Sequence, residues 1–261
     1  MASRRNVQPQ EMYFADSDHI LMCGPCAVES SAQVQETAAF LRERGVKVIR
    51  GGAYKPRTSP ESFQGVGAKG LEWLVEAARQ YGMFTVSEVM DAADLPLFCG
   101  IDVLQIGTRN MQNFSLLKSV GRAGRPVLLK RGMMATVEEF LLAAEYIRRA
   151  GNSEIFMCER GIRSFEKWTR NTLDLSCVPL VQREVSYPVI VDLSHALGRK
   201  DIVAPLARAA LACGANGIML EVHPKPSEAL CDGHQSLSFA EFDQLLNDLN
   251  PFLSCLKNER Q

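Results

Sequence analysis

No stretch of this sequence approaches the run of about 18 apolar residues that a membrane-spanning helix requires. The first eighteen residues, through Asp18, carry basic Arg4 and Arg5 but no apolar core after them, so they lack the form of a secretory signal. Charge of neither sign is in excess: 29 basic and 30 acidic residues leave a formal net charge of -1, which argues against nucleic acid or an anionic membrane as a main partner. No low-complexity linker, composition shift or strong internal repeat divides the chain. These absences predict a cytoplasmic protein of one domain, whose eight cysteines are reduced thiols rather than a disulfide framework.

The 261 residues present are 46% hydrophobic and 23% charged, an ordinary globular composition. A chain of this length buries a sizeable core unaided, and it suits one α/β barrel of about 250 residues. Short aliphatic runs predict strands at 20–23, 46–50, 84–87, 103–106, 127–130, 155–158, 189–192 and 217–221. Between them, apolar residues at three- and four-residue spacing predict helices such as 32–44, 70–80, 137–149, 202–212 and 239–249. Gly45, Gly82, Gly151 and Gly214 stand where helices end, in places suited to a left-handed cap. Strands alternating with helices imply parallel βαβ units, and eight of them imply a closed (β/α)8 TIM barrel rather than an open sheet. The expected organisation is an N-terminal extension over 1–18 and a single barrel domain over 19–261.

Such a barrel keeps its active site at the C-terminal ends of the strands, and those ends are rich in polar residues here. Arg50, Lys55, Arg57, Arg109, Lys130, Arg131, Arg160 and Arg163 converge on one face in this reading, which suggests a site for more than one phosphate or carboxylate. Solvated loop charges paired with Glu29, Glu88 and Glu159 are the plainer alternative; placement at strand ends favours the ligand site. Cys26, His195, Glu221 and Asp232 offer a thiolate, an imidazole and two carboxylates, a donor mixture that suits a divalent first-row metal. They lie far apart in the chain, and spacing alone does not decide between ligands and ordinary polar residues. Cys23-Gly-Pro-Cys26 matches the C-x-x-C form of thioredoxin-like redox sites. In those proteins the motif opens a helix, whereas Cys23 here falls inside the first apolar strand. Cys99, Cys177, Cys213 and Cys255 sit in apolar contexts and read as small core residues.

Seven motifs then stand in register: Gly24-Pro-Cys26-Ala-Val-Glu-Ser30, Arg50-Gly-Gly-Ala-Tyr-Lys-Pro-Arg-Thr-Ser59, Gln105-Ile-Gly-Thr-Arg-Asn-Met-Gln112, Leu129-Lys-Arg-Gly132, Glu159-Arg-Gly-Ile-Arg163, Asp192-Leu-Ser-His195 and Glu221-Val-His-Pro224. From the first strand to the last helix the sequence resembles 3-deoxy-D-arabino-heptulosonate 7-phosphate (DAHP) synthase of the type I beta group. That group also contains 3-deoxy-D-manno-octulosonate 8-phosphate (KDO8P) synthase. The resemblance implies a transferase that joins phosphoenolpyruvate to erythrose 4-phosphate at the first step of the shikimate pathway to aromatic amino acids. It implies one divalent metal ion (Mn, Fe, Co or Zn) on Cys26, His195, Glu221 and Asp232. Arg109, Lys130 and Arg160 match phosphoenolpyruvate contacts, with Arg50 and Lys55 beside the reacting centre and Glu88 close by. Arg57 and Thr58 match contacts to the aldose phosphate, and the Lys55-Pro-Arg-Thr-Ser59 form of their loop resembles DAHP synthase rather than KDO8P synthase, which uses arabinose 5-phosphate. A barrel that binds phospho-ligands without turnover is the reading outside the enzyme class.

Three departures from the pattern stand out: Leu193 where the family has Pro, and Cys231 and His234 flanking Asp232 where Ser and Pro are common. Relatives under feedback control carry an added domain at one end, and the positions of the first strand and last helix leave no room for one here; insensitivity to Phe, Tyr and Trp is therefore expected. By resemblance the chain assembles as a homodimer or homotetramer.

Overall fold

The computed structural model of the protein describes residues 9–14 and 17–259. Eight parallel strands close into a barrel in chain order: β1 (Ile20–Gly24), β2 (Val48–Arg50), β3 (Phe84–Val89), β4 (Val103–Ile106), β5 (Val127–Lys130), β6 (Ile155–Glu159), β7 (Val189–Asp192) and β8 (Gly217–Glu221). Around them lie α1 (Ser31–Glu43), α2 (Ala68–Tyr81), α3 (Phe114–Arg122), α4 (Val137–Arg149), α5 (Cys177–Glu184), α6 (Leu193–Leu197), α7 (Val203–Ala212) and α8 (Phe239–Glu259). The ring closes through β1 and β8, whose register sets Gly24 beside Glu221. None of the helices described is long and apolar enough to cross a membrane.

Strand alternation divides the core in two. Ile20, Met22, Val48, Val86, Leu128, Phe156, Ile190 and Met219 fill the barrel interior, where Met12 from the preceding 3₁₀ turn (Pro9–Met12) joins them. The alternate residues, such as Leu21, Cys23, Ile49, Leu104 and Val191, face outward to the helices. Each fully buried large aliphatic side chain contributes roughly 1.5–3 kcal/mol, so this two-sided burial is what makes the strands rigid supports.

Local chemistry fixes the helix ends. Thr136 caps α4 through a reciprocal capping box with Glu139, and Arg148 and Arg149 in its last turn complement the helix dipole. Gly45, Gly82, Gly151 and Gly214 all take positive φ (78°, 64°, 108° and 101°), as expected where the chain leaves a helix. The single-turn α6 matters most for the site. Asp192, the last residue of β7, caps it by accepting the His195 N–H at 3.1 Å, and Gly198 ends it at φ 65°. Leu193 takes its first helical position, where Pro is favoured by its fixed φ and because that position needs no N–H partner.

Candidate functional site

At the C-terminal mouth of the barrel lies a cavity of about 410 Å³. Its wall includes Arg50, Lys55, Arg57, Thr58, Glu88, Arg109, Lys130, Arg160, Arg163 and His195, together with Arg170 and Asp232. The cations are graded by depth. Arg50, Lys55, Lys130 and Arg160 are buried at the floor, Arg109 and Arg163 are exposed at the rim beside Thr58, and Arg57 is half-buried between the two levels. Such a shaft can hold an elongated ligand with an anion at each end, since charge-assisted bonds strengthen where water is excluded.

Arg131 does not belong to this set. It turns from the cavity into a buried triad, donating to Glu159 Oε2 at 2.9 Å, Asp174 Oδ2 at 2.7 Å and Ala135 O at 3.0 Å. Glu159 in turn accepts the Gly161 N–H at 2.6 Å, so this group shapes the turn after β6 that delivers Arg160. A Lys-Arg pair at a strand end carries one residue to each face, and the pattern alone does not say which.

The four predicted donors do meet. One ligand atom from each of Cys26, His195, Glu221 and Asp232 lies within 4.8 Å of the others. A cation bonded at about 2.0–2.3 Å keeps its donors within roughly twice that distance of one another, so the spacing fits a shared ion. His195 Nε2 is 3.2 Å from Glu221 Oε1 and 4.0 Å from Asp232 Oδ2, and Cys26 Sγ is 3.4 Å from Asp232 Oδ2. Two carboxylates and a thiol aimed at one point call for a positive charge between them, which is the property that fits the group to a metal. On its other side His195 Nδ1 lies 2.8 Å from Asp192 Oδ2, an orientation that directs Nε2 at the donors. Asp192 also binds Lys130 Nζ. Burial opposes ionisation of Asp192, yet His195 and Lys130 outweigh it and hold the carboxyl well below the ordinary range. Asp232 follows the same logic: burial is overcome by Arg170, His195 and Lys55, bringing it to about 2. His195 itself is raised, because Asp192 and Glu221 outweigh the desolvation of its cation.

Lys55 joins the donors to the cavity. Its Nζ lies 3.0 Å from Cys26 Sγ and 2.9 Å from Cys26 O. Burial disfavours its charge, but the neighbouring Cys26 and Cys231 sulfurs raise it above the ordinary lysine range. Arg50 donates to Pro25 O at 2.7 Å and stands 3.5 Å from Glu221 Oε1, bracing the loop that carries Cys26. Gln105 donates to Glu88 Oε2 at 3.2 Å and so orients that carboxylate on the cavity wall.

Cys231 reaches Cys26, Sγ to Sγ at 3.3 Å, and accepts from Arg57 at 2.7 Å, whereas His234 is exposed and stands apart. Cys23 points into the layer between strands and helices, so it does not pair with Cys26 in a redox motif. Cys99 and Cys255 are exposed, unlike the core placement expected of them, while Cys177 is buried. Sequence reasoning missed Asp192 as the partner of His195, although its place three residues earlier at a strand end was a usable signal. It also missed Arg170, Asn171 and Gln235, which belong to no spacing pattern.

Comparison with known proteins finds relatives of two named activities, at different distances. A model of the DAHP synthetase I family matches residues 6–254. A phospho-2-dehydro-3-deoxyheptonate aldolase from Thermotoga maritima is 56% identical over 237 residues, which are 90% of this chain and 70% of that one. A crystal structure of the enzyme of that name and organism superposes with a TM-score of 0.89, covering 91% of this chain and 70% of its own. A truncated form of 3-deoxy-D-arabino-heptulosonate 7-phosphate synthase from the same organism, 52% identical, gives 0.85 over 91% and 87% of the two chains. More distant is a 2-dehydro-3-deoxyphosphooctonate aldolase from Acidithiobacillus ferrooxidans, 31% identical over 258 residues, covering 92% of this chain and 91% of that one.

Proposed function

The chain belongs to the DAHP synthetase I family, and we propose from that premise how its own residues carry out the family reaction. It condenses phosphoenolpyruvate with erythrose 4-phosphate, giving DAHP and inorganic phosphate. The observation that carries the assignment of residues is the meeting of four metal-type donors and the Lys55 ammonium at the floor of a cation-lined shaft.

In this reading Lys130, Arg160 and Arg50, buried at the floor, hold the carboxylate and phosphate of phosphoenolpyruvate, with Arg109 closing over it and Glu88 alongside. Half-buried Arg57 and exposed Thr58 take the phosphate of the aldose, which sets its aldehyde end down toward Lys55. The clamps oppose the repulsion of two anions and set the enol carbon against the aldehyde carbon. Cys26, His195, Glu221 and Asp232 would hold a divalent cation, which would supply Lewis-acid polarisation to the aldehyde. As C3 of phosphoenolpyruvate forms the new carbon–carbon bond, Lys55 gives a proton to the aldehyde oxygen. Water then adds at C2, and its two protons restore the Lys55 ammonium and leave on phosphate as the C2–O bond breaks and the C2 ketone forms.

The thiolate, imidazole and carboxylate mixture favours Mn, Fe, Co or Zn over Mg or Ca. All eight cysteines are free thiols, which supports a reducing, cytoplasmic setting. The exposed Phe165 and Trp168 support assembly as a homodimer or homotetramer.

Phosphate release from phosphoenolpyruvate, measured with erythrose 4-phosphate and with arabinose 5-phosphate before and after chelation, tests the whole reading. Turnover is expected with erythrose 4-phosphate, lost on chelation and restored by a divalent ion. Full turnover by rigorously metal-free protein overturns the metal assignment, and preference for arabinose 5-phosphate overturns the aldose assignment.

A further inference from the structure

The two carboxylates of the donor group are joined through one pair of side chains, which meets Glu221 at Oε2 and Asp232 at Oδ2. Gln235, fully buried, donates from Nε2 to Glu221 Oε2 at 2.7 Å and accepts at Oε1 from Arg170 Nη1 at 3.0 Å. The same Arg170 nitrogen donates to Asp232 Oδ2 at 3.3 Å. We infer that Arg170 and Gln235 form a strut that positions Glu221 and Asp232 as donors and thereby sets the affinity of the site for a divalent cation. The inference rests on the ligand reading above.

Chemistry allows the Gln235 amide one orientation. Arginine offers only donors and an ionised carboxylate only acceptors, so Oε1 must face Arg170 and Nε2 must face Glu221. The strut occupies Glu221 Oε2 and leaves Oε1 as the oxygen turned to His195. At the other end, Asp232 takes φ 52°, the one positive φ among the described non-glycine residues. A left-handed aspartate persists only where its surroundings determine it. Here its carbonyl accepts from Gln235 N and Ser236 Oγ, both at 3.2 Å, while Arg170 holds the carboxylate. Gln235 thus touches both residues, the Glu221 carboxylate through its side chain and the Asp232 carbonyl through its backbone N–H.

Arg170 is itself anchored to the helix that carries His195. The N–H groups of Arg170 and Asn171 donate to Leu197 O at 2.9 Å and Ala196 O at 2.8 Å. A Cβ at Gly198 would lie 2.4 Å from Arg170 Cβ, so glycine there admits the arginine as well as ending α6. One short network therefore links the helix of His195 with Glu221 and Asp232. Partners that orient metal ligands in this way typically change affinity by about 10–100-fold when removed.

Metal-free protein titrated with Cd²⁺ alone, followed by the thiolate-to-cadmium charge-transfer absorption and by competition with a chelator, provides the test. Substrates are absent, so any contact of Arg170 with them does not enter. Arg170→Ala and Gln235→Leu are each expected to weaken Cd²⁺ binding by about 10–100-fold, with the band intact at saturation because Cys26 is untouched. The double variant is expected to bind no more than about twofold more weakly than the weaker single variant, since two parts of one unit are not additive. The Arg170 side chain is 37% exposed, so its truncation spares the core and keeps the test open should Gln235→Leu fail to fold. Wild-type affinity in Arg170→Ala, or additive losses in the double variant, overturns the strut. Absence of the band in the wild-type protein overturns the ligand reading itself.

Discussion

Replacing Asp192 with Asn removes one negative charge and almost no volume, and the structure says where that charge is needed. The carboxylate is inaccessible to solvent and binds Lys130 Nζ, which is 5% exposed, while also receiving the backbone N–H of His195 and facing its Nδ1. An amide cannot serve all three. With its oxygen toward the N–H of His195, its NH₂ meets the Lys130 ammonium; turned the other way, the NH₂ meets the N–H. Leaving a buried charge without its partner costs about 3–5 kcal/mol. The bond that Asn can still accept offsets about 1 kcal/mol of this. The expected loss is therefore about 2–4 kcal/mol, a large share of the roughly 5–15 kcal/mol that holds a domain folded.

Urea unfolding of the metal-free variant reads that loss directly. Lys130→Met added to Asp192→Asn should recover part of it, because removing both charges is far less costly than stranding one. If the double variant is no more stable than Asp192→Asn alone, unpaired charge is not the cause and the reasoning fails. The same substitution disturbs the orientation of His195, so cation affinity should fall by about 10–100-fold, measured by chelator competition.

Other outcomes follow from the same geometry. Arg57→Ala should raise KM for erythrose 4-phosphate far more than KM for phosphoenolpyruvate, through loss of a charge-assisted contact worth about 1.5–3 kcal/mol; equal effects in steady-state kinetics would place Arg57 elsewhere. Arg131→Met should destabilise the fold by about 3–5 kcal/mol while leaving KM for phosphoenolpyruvate within about twofold, as the side chain faces Glu159 and Asp174 rather than the cavity. Burial opposes the charge of Asp174, but Arg131 outweighs it and lowers the carboxyl. Its share of stability is complete above the unfolded value of about 3.9 and is lost as pH falls below that toward the folded value. Arg131→Met should flatten this acid limb in pH-dependent unfolding, and an unchanged limb argues against the pair.

The strands were the most legible part of this chain. Four of them, 103–106, 127–130, 189–192 and 217–221, run as their aliphatic stretches predict, because strands buried on both faces show themselves as short unbroken apolar runs. Deviations have local causes. β3 continues two residues beyond its apolar run because Glu88 and Val89 pair with Gln105 and Ile106, and pairing is invisible to hydropathy. α8 passes through Pro251, where a sequence reading stops. α5 was obscured because Pro179 sits in its first turn, a position that tolerates proline. The cavity residues were legible one by one from strand ends, except that Lys130 and Arg131 go to opposite sides of the wall.

What no local pattern carries is the meeting of Cys26 with Glu221 and Asp232, about two hundred residues away. Barrel closure produces it. The register of β1 against β8 sets Gly24 beside Glu221, and Cys26 follows two residues later on the same rim. Val222 N donates to Gly24 O, tying the two strand ends together where the donors emerge. His195 comes from β7, the other neighbour of β8, one turn into a helix started by Asp192. The donor group is therefore a product of three adjacent strands, and any reading that leaves the sheet open separates Cys26 from the rest. The prediction of a metal site and the prediction of a closed barrel stand or fall together. A substitution that loosens the β1–β8 seam without touching a donor, such as Gly217→Val, whose new side chain would enter at Ile20 O where even a Cβ lies 2.2 Å away, should lower cation affinity along with stability. Retained affinity in such a destabilised protein, measured by chelator competition, would show that the donors assemble without the seam.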